Sequence, residues 1–327
     1  MGNLIARVVP HSDLSVDLWP PPPTYDPQRD IPDLTGKVAV VTGGNSGIGY
    51  HVARELLLKN VRVYVAAREG PKTREALKSL EEATGRTPGF IELDLMDLGS
   101  VRRAALAFLE RETRLDMLFN NGGIMHPPPS LLTAQNLDAA FGTNTASHYL
   151  LTTLLLPALR AAHAASGVPA RIVNTTSSTH GRAPGVFFES LQGGAERDRW
   201  LRERWGALVG WQLYAQSKLV GIILSNHLAK THSEFLVSCS VHPGAINTPL
   251  KRNLPSAFQL LWKLALYPPS RGAYPLLWAA AIASPSEVTA QFIVPPSRHG
   301  LVHPLTRSKA LEERVVAYTD GIVADFV

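Results

Sequence analysis

Val38-Ala39-Val40-Val41-Thr42-Gly43-Gly44-Asn45-Ser46-Gly47-Ile48-Gly49 decides how this chain is read. Val38 to Val41 is a run of strand formers that predicts a β-strand buried on both faces, and Ile48 to Lys59 follows as a helix. Between them Gly43, Gly47 and Gly49 permit a sharp turn, a close backbone approach to a phosphate and tight packing of helix on sheet. A helix opening at such a turn presents unpaired N–H groups, which hold a pyrophosphate. Asn45 and Ser46 sit in the same turn, and Ile48 would cover the inner side of a bound nucleotide. The spacing departs from the common dinucleotide fingerprint, and the turn has no lysine followed by Ser or Thr, which argues against a kinase-like phosphate loop.

Outward from this turn, short apolar runs alternate with helical ones. Strands are predicted at Val61 to Ala66, Phe90 to Leu93, Leu115 to Phe119, Ile172 to Thr176, Phe235 to Val241 and Gln291 to Val294. Helices are predicted at Pro71 to Ala83, at Ser100 to Arg111 with Ser100 or Gly99 as its cap, at Asn144 to Ala164 and at Tyr214 to Thr231. Strands separated by helices of this length pair in parallel and are covered on both faces. The expected fold is therefore α/β, a three-layer doubly wound Rossmann-type fold with a mostly seven-stranded parallel sheet. Ligands of such sheets bind beyond the carboxyl ends of the strands, so residues just after strands carry the most weight.

Those residues are informative. The second strand ends in Ala66-Ala67-Arg68, without the acidic side chain that would accept from a ribose hydroxyl; an arginine there suits a 2′-phosphate and predicts NADPH/NADP+ over NADH. Lys72 and Arg74 add to that positive field. Asp94, followed by Leu95, is placed to accept from an adenine amino group, and small residues in Asn120-Asn121-Gly122-Gly123 let backbone approach the adenosine ribose. After the fifth strand comes Thr175-Thr176-Ser177-Ser178. Tyr214 and Lys218 are four residues apart on a predicted helix and so share one face, where the ammonium would lower the phenol's pKa from about 10. In a carbonyl reduction Ser177 would donate to the carbonyl oxygen, Tyr214 would supply the proton, and Lys218 would also grip the nicotinamide ribose.

These motifs, in this order, resemble the short-chain dehydrogenase/reductase family over about residues 35–300. The resemblance rests on TGGNSGIG, on Tyr214-Ala215-Gln216-Ser217-Lys218, on Ser177 in IVNTTSS, on Asn144 in FGTNTASHYLLT, and on Pro243-Gly244 with Thr248 in HPGAINTPL. It implies that Asn144 holds a water in a proton relay to Lys218. It also implies that the segment from Pro243 closes over the nicotinamide, with the Ile246 backbone binding the carboxamide. FGTN…HYLLT, RIVNTTSSTH and the long spacer before the tyrosine are most similar to the retinol dehydrogenase and WW-domain oxidoreductase-like branch. Two departures stand out. Gly122 replaces the usual alanine of NNAG, which costs loop rigidity, and the long spacer between Ser177 and Tyr214 leaves Ser178 as the alternative hydroxyl.

With 327 residues, 45% of them hydrophobic, the chain can build a large core without disulfides or metals. The reading is a proline-rich arm over residues 1–35, carrying Trp19-Pro20-Pro21-Pro22-Pro23, and one domain over 36–327 with an insertion around 180–210. The arm either docks on the body or is disordered. The lone Cys239 lies in an apolar strand and is read as a reduced thiol, which fits a cytoplasmic location. A net charge of +5, spread along the chain, helps attract an anionic cofactor and gives no ground for nucleic-acid binding. His126, His180 and His242 lack metal-ligand spacing, so no metal is expected. Phe258 to Ala283 is apolar but broken by Lys263, Pro268, Pro269, Arg271 and Pro275; it reads as two short helices, compatible with peripheral membrane contact and not with a span.

The insertion mixes charges with Phe187, Phe188, Trp200 and Trp205, with Trp211 following it. That mixture reads as an amphipathic helix walling an apolar pocket or filling local core. The expected substrate is a hydrophobic or aromatic small molecule, interconverted between carbonyl and alcohol in the reductive direction. Reduction of an activated C=C bond and a non-catalytic nucleotide-sensing or scaffold role are the alternatives. Homodimer and monomer both fit.

Overall fold

The computed structural model describes residues 20–23, 25–204, 208–247 and 266–327. Eight strands form one sheet: β1 (Val38–Thr42), β2 (Arg62–Ala67), β3 (Gly89–Glu92), β4 (Met117–Asn120), β5 (Ala170–Thr175), β6 (Leu236–Val241), β7 (Phe292–Val294) and β8 (Arg298–His299). Their order is β3-β2-β1-β4-β5-β6-β7-β8. The first seven pair in parallel, and β8 is a two-residue antiparallel edge beyond the seven expected. Strand order reverses between β1 and β4, which opens a crevice at their carboxyl ends.

The alternation of β1 explains the layers. Val38 and Val40 face one core, Ala39 and Val41 the other, so a strand that is apolar throughout is buried throughout. One layer holds α1 (Gly47–Leu58), α2 (Pro71–Thr84) and α7 (Pro269–Ala281), whose Val52, Leu56, Leu80, Leu276 and Leu277 pack on the sheet. The other holds α3 (Leu98–Leu109), α4 (Ser147–Ser166), α6 (Leu208–Thr231) and α8 (Lys309–Val323). Between α3 and α4 lies a π-helical turn, Gly142–Ala146.

Several local expectations change. The cap of α3 is Asp97, whose carboxylate accepts from Gly99 N at 2.9 Å; Ser100 instead turns its hydroxyl to Asp94 N. The helix carrying Tyr214 begins six residues earlier than the tyrosine, at Leu208. A C-terminal helix, α8, appears where no helix was read; it buries Val315, Thr319 and Val323 and packs Leu311, Val316, Tyr318 and Ile322 against the core. Of the two short helices expected between Phe258 and Ala283, the second is the single helix α7 with Pro275 inside it; Phe258 to Ala265 lies outside the described residues. Among the described residues no helix is long and apolar enough to cross a membrane.

The insertion forms a short helix, α5 (Ala195–Arg202), held by a buried ion pair. Arg197 Nη2 lies 2.8 Å from Asp138 Oδ2, with the two side chains 2% and 1% exposed. Arg197 also donates to the backbone carbonyls of Ser190 and Pro129. Burial alone would push the Asp138 carboxyl up; the guanidinium works against it. Removing one partner strands the other charge in the interior, so Arg197→Ala should cost about 3–5 kcal/mol of unfolding free energy. Denaturant titration would read that loss; a midpoint equal to wild type would show the pair to be dispensable.

Candidate functional site

The glycine turn is built as the chemistry of a phosphate cradle requires. Gly43 and Gly47 adopt φ of +65° and +55°. A Cβ on Gly49 would stand 2.5 Å from Gly43 O and 2.6 Å from Asn121 Nδ2, so only glycine packs there. Ser46 stands at the N-cap of α1 without capping it. Asn45 Nδ2 donates to Thr73 Oγ1 at 2.8 Å, and Thr73 Oγ1 donates to Arg68 O at 2.7 Å. This chain of bonds ties the turn to the end of β2, where Arg68 is exposed. Arg74 does not simply add positive field there: it pairs with Glu69, an acidic neighbour of Arg68.

The next turn is locked to the first. Asn121 N and Gly122 N donate to Thr42 Oγ1 at 2.9 and 2.8 Å, and Asn121 Nδ2 donates to Thr42 O at 2.9 Å. A Cβ on Gly122 would come within 2.7 Å of Leu95 Cδ1. Leu95 therefore occupies the space of the missing alanine methyl, which offsets the looseness expected of a glycine. His148 stands behind this junction. Its Nδ1 faces Asn144 O at 3.3 Å, and burial pulls its pKa down to about 4, so the ring is neutral. A carbonyl can only accept, which puts the proton on Nδ1; Nε2 then accepts from Thr42 Oγ1 at 3.0 Å. Sequence reading passed over His148; its place one helical turn after Asn144 was the available signal.

The chemical residues converge at the carboxyl end of β5. Lys218 Nζ lies 5.6 Å from the centroid of the Tyr214 ring and donates to Thr175 O at 3.1 Å. Ser177, at the cap of a 3₁₀ turn (Ser178–Arg182), is the hydroxyl that acts on the Tyr214 phenol to lower its pKa. Burial pushes Tyr214 up to about 12, with the Ser177 bond acting against it. The phenol is therefore not lowered by Lys218 as expected: burial raises it, and the same burial pulls Lys218 itself down to about 8. Asn144, in the π-turn, clamps the Ile124 backbone, accepting from its N at 2.9 Å and donating to its O at 3.0 Å. Its Nδ2 also reaches Ser217 Oγ at 3.2 Å.

Beside Lys218 lies a cavity of about 30 Å³ lined by Asn120, Asn144, His148, Asn174, Ser217 and Ser225, among others. Asn120 Oδ1 and Thr175 Oγ1, on two of its lining residues, are buried without partners. A polar cavity of this size holds about two waters. On the other side of the phenol, the Trp211 ring is 6.4 Å from the Tyr214 ring, and His126 is 5.1 Å from Trp211. Trp200 is 2% exposed and fills local core with Val209 and Leu213, so Trp211 and His126 form the aromatic flank of the site; Trp205 lies outside the described residues. Gly244 (φ +92°) and Ile246 follow β6, while Thr248 also lies outside them. Among the described residues no group of three or more His, Cys, Asp or Glu is placed to hold a metal ion.

Residues 37–190 match the family model described as short chain dehydrogenase. A short-chain dehydrogenase/reductase of Armillaria gallica is 38% identical over 299 residues, 91% of this chain and 93% of that protein. The chain belongs to the short-chain dehydrogenase/reductase family. Mouse retinol dehydrogenase 11 is 36% identical across 76% of this chain and 74% of its own. Among solved structures, Pseudomonas aeruginosa RhlG in an active-site complex with NADP superposes with a TM-score of 0.61 at 25% identity, over 83% of this chain and 98% of that one. Family membership makes the protein an oxidoreductase of Rossmann type, in agreement with its sheet order.

Proposed function

We propose that this chain is an NADP(H)-dependent oxidoreductase that reduces the carbonyl of a hydrophobic or aromatic small molecule to an alcohol. The observation that carries the reading is the convergence of Tyr214, Ser177 and Lys218 at the sheet end that also carries the glycine turn. The positive-φ turn, the steric limit at Gly49 and exposed Arg68 fit a phosphorylated dinucleotide. RhlG, solved with NADP, is a similar protein that binds this cofactor.

Gly43, Asn45, Ser46, Gly47, Ile48 and Gly49 would hold the pyrophosphate, Arg68 the 2′-phosphate, Asp94 and Leu95 the adenine, and Asn120 and Gly122 the adenosine ribose. Lys218 would hold the nicotinamide ribose; Pro243, Gly244, Ile246 and Thr248 would close on the ring. When bound, NADPH supplies the hydride. Ser177 donates to the substrate oxygen and positions it. Tyr214, neutral across the physiological range, would give its proton to that oxygen while the carbonyl carbon receives the hydride, so that C=O becomes an alcohol; a neutral phenol suits reduction. Lys218 stabilises the phenolate left behind, and the adjoining cavity offers a path for waters that reprotonate it. Asn144 keeps the Ile124 loop and Ser217 in register beside that path.

Within the family, the FGTN…HYLLT and RIVNTTSSTH strings support a reading in which the chain is akin to the retinol dehydrogenase and WW-domain oxidoreductase-like branch. Residues 36–327 are read as one domain, with residues 1–35 as an arm. The direct test is purified protein with NADPH against a panel of aromatic and aliphatic carbonyls, with product analysis. An alcohol supports the reading, a saturated carbonyl points to C=C reduction, and NADPH binding without turnover points to a sensor. Because Lys218 is pulled down to about 8, kcat/KM for NADPH, which reports the free enzyme, should fall as pH rises above about 8. A profile flat to pH 10 would remove Lys218 from cofactor capture.

A further inference from the structure

Residues 20–23 of the arm are seated against the segment that follows β6. Pro20, Pro21 and Pro23 line a cavity of about 30 Å³ with Pro243, Gly244, Ile246, Tyr267, Tyr274 and Pro295. A groove walled by tyrosine and proline rings is the surface on which a proline-rich strand packs with little loss of entropy. Tyr25 is buried, its phenol donates to the Tyr274 carbonyl on α7, and the two rings lie 5.6 Å apart. Ile31 anchors the following stretch in the main core at 1% exposure.

The same surface bears on residues beyond Pro243 from two sides. A Cβ on Gly244 would meet Pro295 Cγ at 2.9 Å, so this backbone rests on a ring that also lines the arm's groove. A Cβ on Gly272, in α7, would stand 2.9 Å from both Ile246 Cγ1 and Ile48 Cγ1. Helix α7 thus touches the glycine turn and the Ile246 segment at one point. Ala245 and Asn247 are further bonded to Tyr267, with Asn247 N to Tyr267 O at 2.9 Å and Tyr267 N to Ala245 O at 3.0 Å. Chain leaving Asn247 and chain arriving at Tyr267 therefore share a neck, and the arm packs on Tyr267 at that neck.

We propose that the stretch from Pro20 to Tyr25 is a cofactor-retaining strap: with Pro20, Pro21, Pro23 and Tyr25 seated between α7, Tyr267 and Pro295, it holds the Gly244–Ile246 backbone in place at the nicotinamide end. This rests on the dinucleotide reading of the site. With the strap seated, the neck is already ordered when cofactor enters; without it, binding must also order that backbone, and the cofactor leaves faster.

The test compares wild type, a chain lacking residues 1–23 and Tyr25→Phe, reading NADPH Kd by fluorescence titration, NADPH release by stopped flow, and thermal unfolding without cofactor. Truncation should raise Kd about tenfold, through faster release, the scale of ordering one or two side chains. The cofactor-free unfolding midpoint should stay near wild type. Tyr25→Phe, which keeps the ring and removes the bond to Tyr274, should move Kd in the same direction by a smaller factor. Added in trans, a peptide of residues 1–26 should restore the truncated chain's affinity. Wild-type binding with unchanged Kd in both variants overturns the strap and leaves the dinucleotide reading standing. Failure of wild type to bind NADPH overturns both. Should truncation lower the unfolding midpoint as well, Tyr25→Phe decides: a raised Kd at an unchanged midpoint supports the strap, an unchanged Kd overturns it.

Discussion

Tyr214→Phe is expected to lower kcat for carbonyl reduction by about 10²–10⁴-fold, the usual contribution of a positioned general acid, while leaving NADPH affinity nearly unchanged. The asymmetry follows from the geometry. Tyr214 is buried on α6 at 7% exposure, and its ring contributes packing that phenylalanine reproduces. Only the hydroxyl is lost, together with its interaction with Ser177. Lys218 keeps its contact with Thr175 O, so the group assigned to the cofactor ribose stays in place. Single-turnover reduction with saturating NADPH, alongside direct cofactor titration, separates the two quantities. Retention of more than about a tenth of wild-type kcat would remove Tyr214 from the proton-donor role, since such a loss is too small for a missing acid.

Arg68→Asp is expected to shift cofactor preference from NADPH toward NADH, with about a 10–100-fold loss in kcat/KM for NADPH. A hydrogen bond to a charged partner contributes about 1.5–3 kcal/mol, and the carboxylate adds repulsion toward a 2′-phosphate while accepting from a 2′-hydroxyl. The position tolerates the change, because Arg68 is exposed and its main-chain bond to Thr73 uses only the carbonyl. Glu69 sharpens the expectation. It is paired with Arg74, so Arg68 is the less encumbered of these two cations near the end of β2. Equal NADPH and NADH kinetics in wild type, or an unchanged ratio in the variant, would dismiss Arg68 as the discriminating group.

Order along the chain was enough to read the sheet, because each strand of a doubly wound fold is apolar on both faces and each crossover carries its own helical period. It was also enough to read the glycine turn and the Tyr214–Lys218 spacing, since both depend on contacts a few residues apart. The C-terminal α8 and the two-residue β8 escaped that reading: β8 is too short to carry a pattern, whereas α8 carries a helical stripe, Leu311, Val315, Thr319 and Val323, that was there to be read.

What folding alone supplied lies in contacts between distant segments. His148 meets Thr42 across 106 positions, a contact that ties α4 to the end of β1. The direction of the Tyr214 shift came from burial, which spacing cannot report; a lysine four residues away predicted a lowered phenol, and burial raised it instead. The division of labour between Trp200 in the core and Trp211 beside the phenol, and the seating of Pro20, Pro21 and Pro23 beside Gly244 and Tyr274, likewise depend on solvent exclusion and long-range packing. Local pattern carries backbone preference; which groups lose water, and beside what, is settled when the layers close.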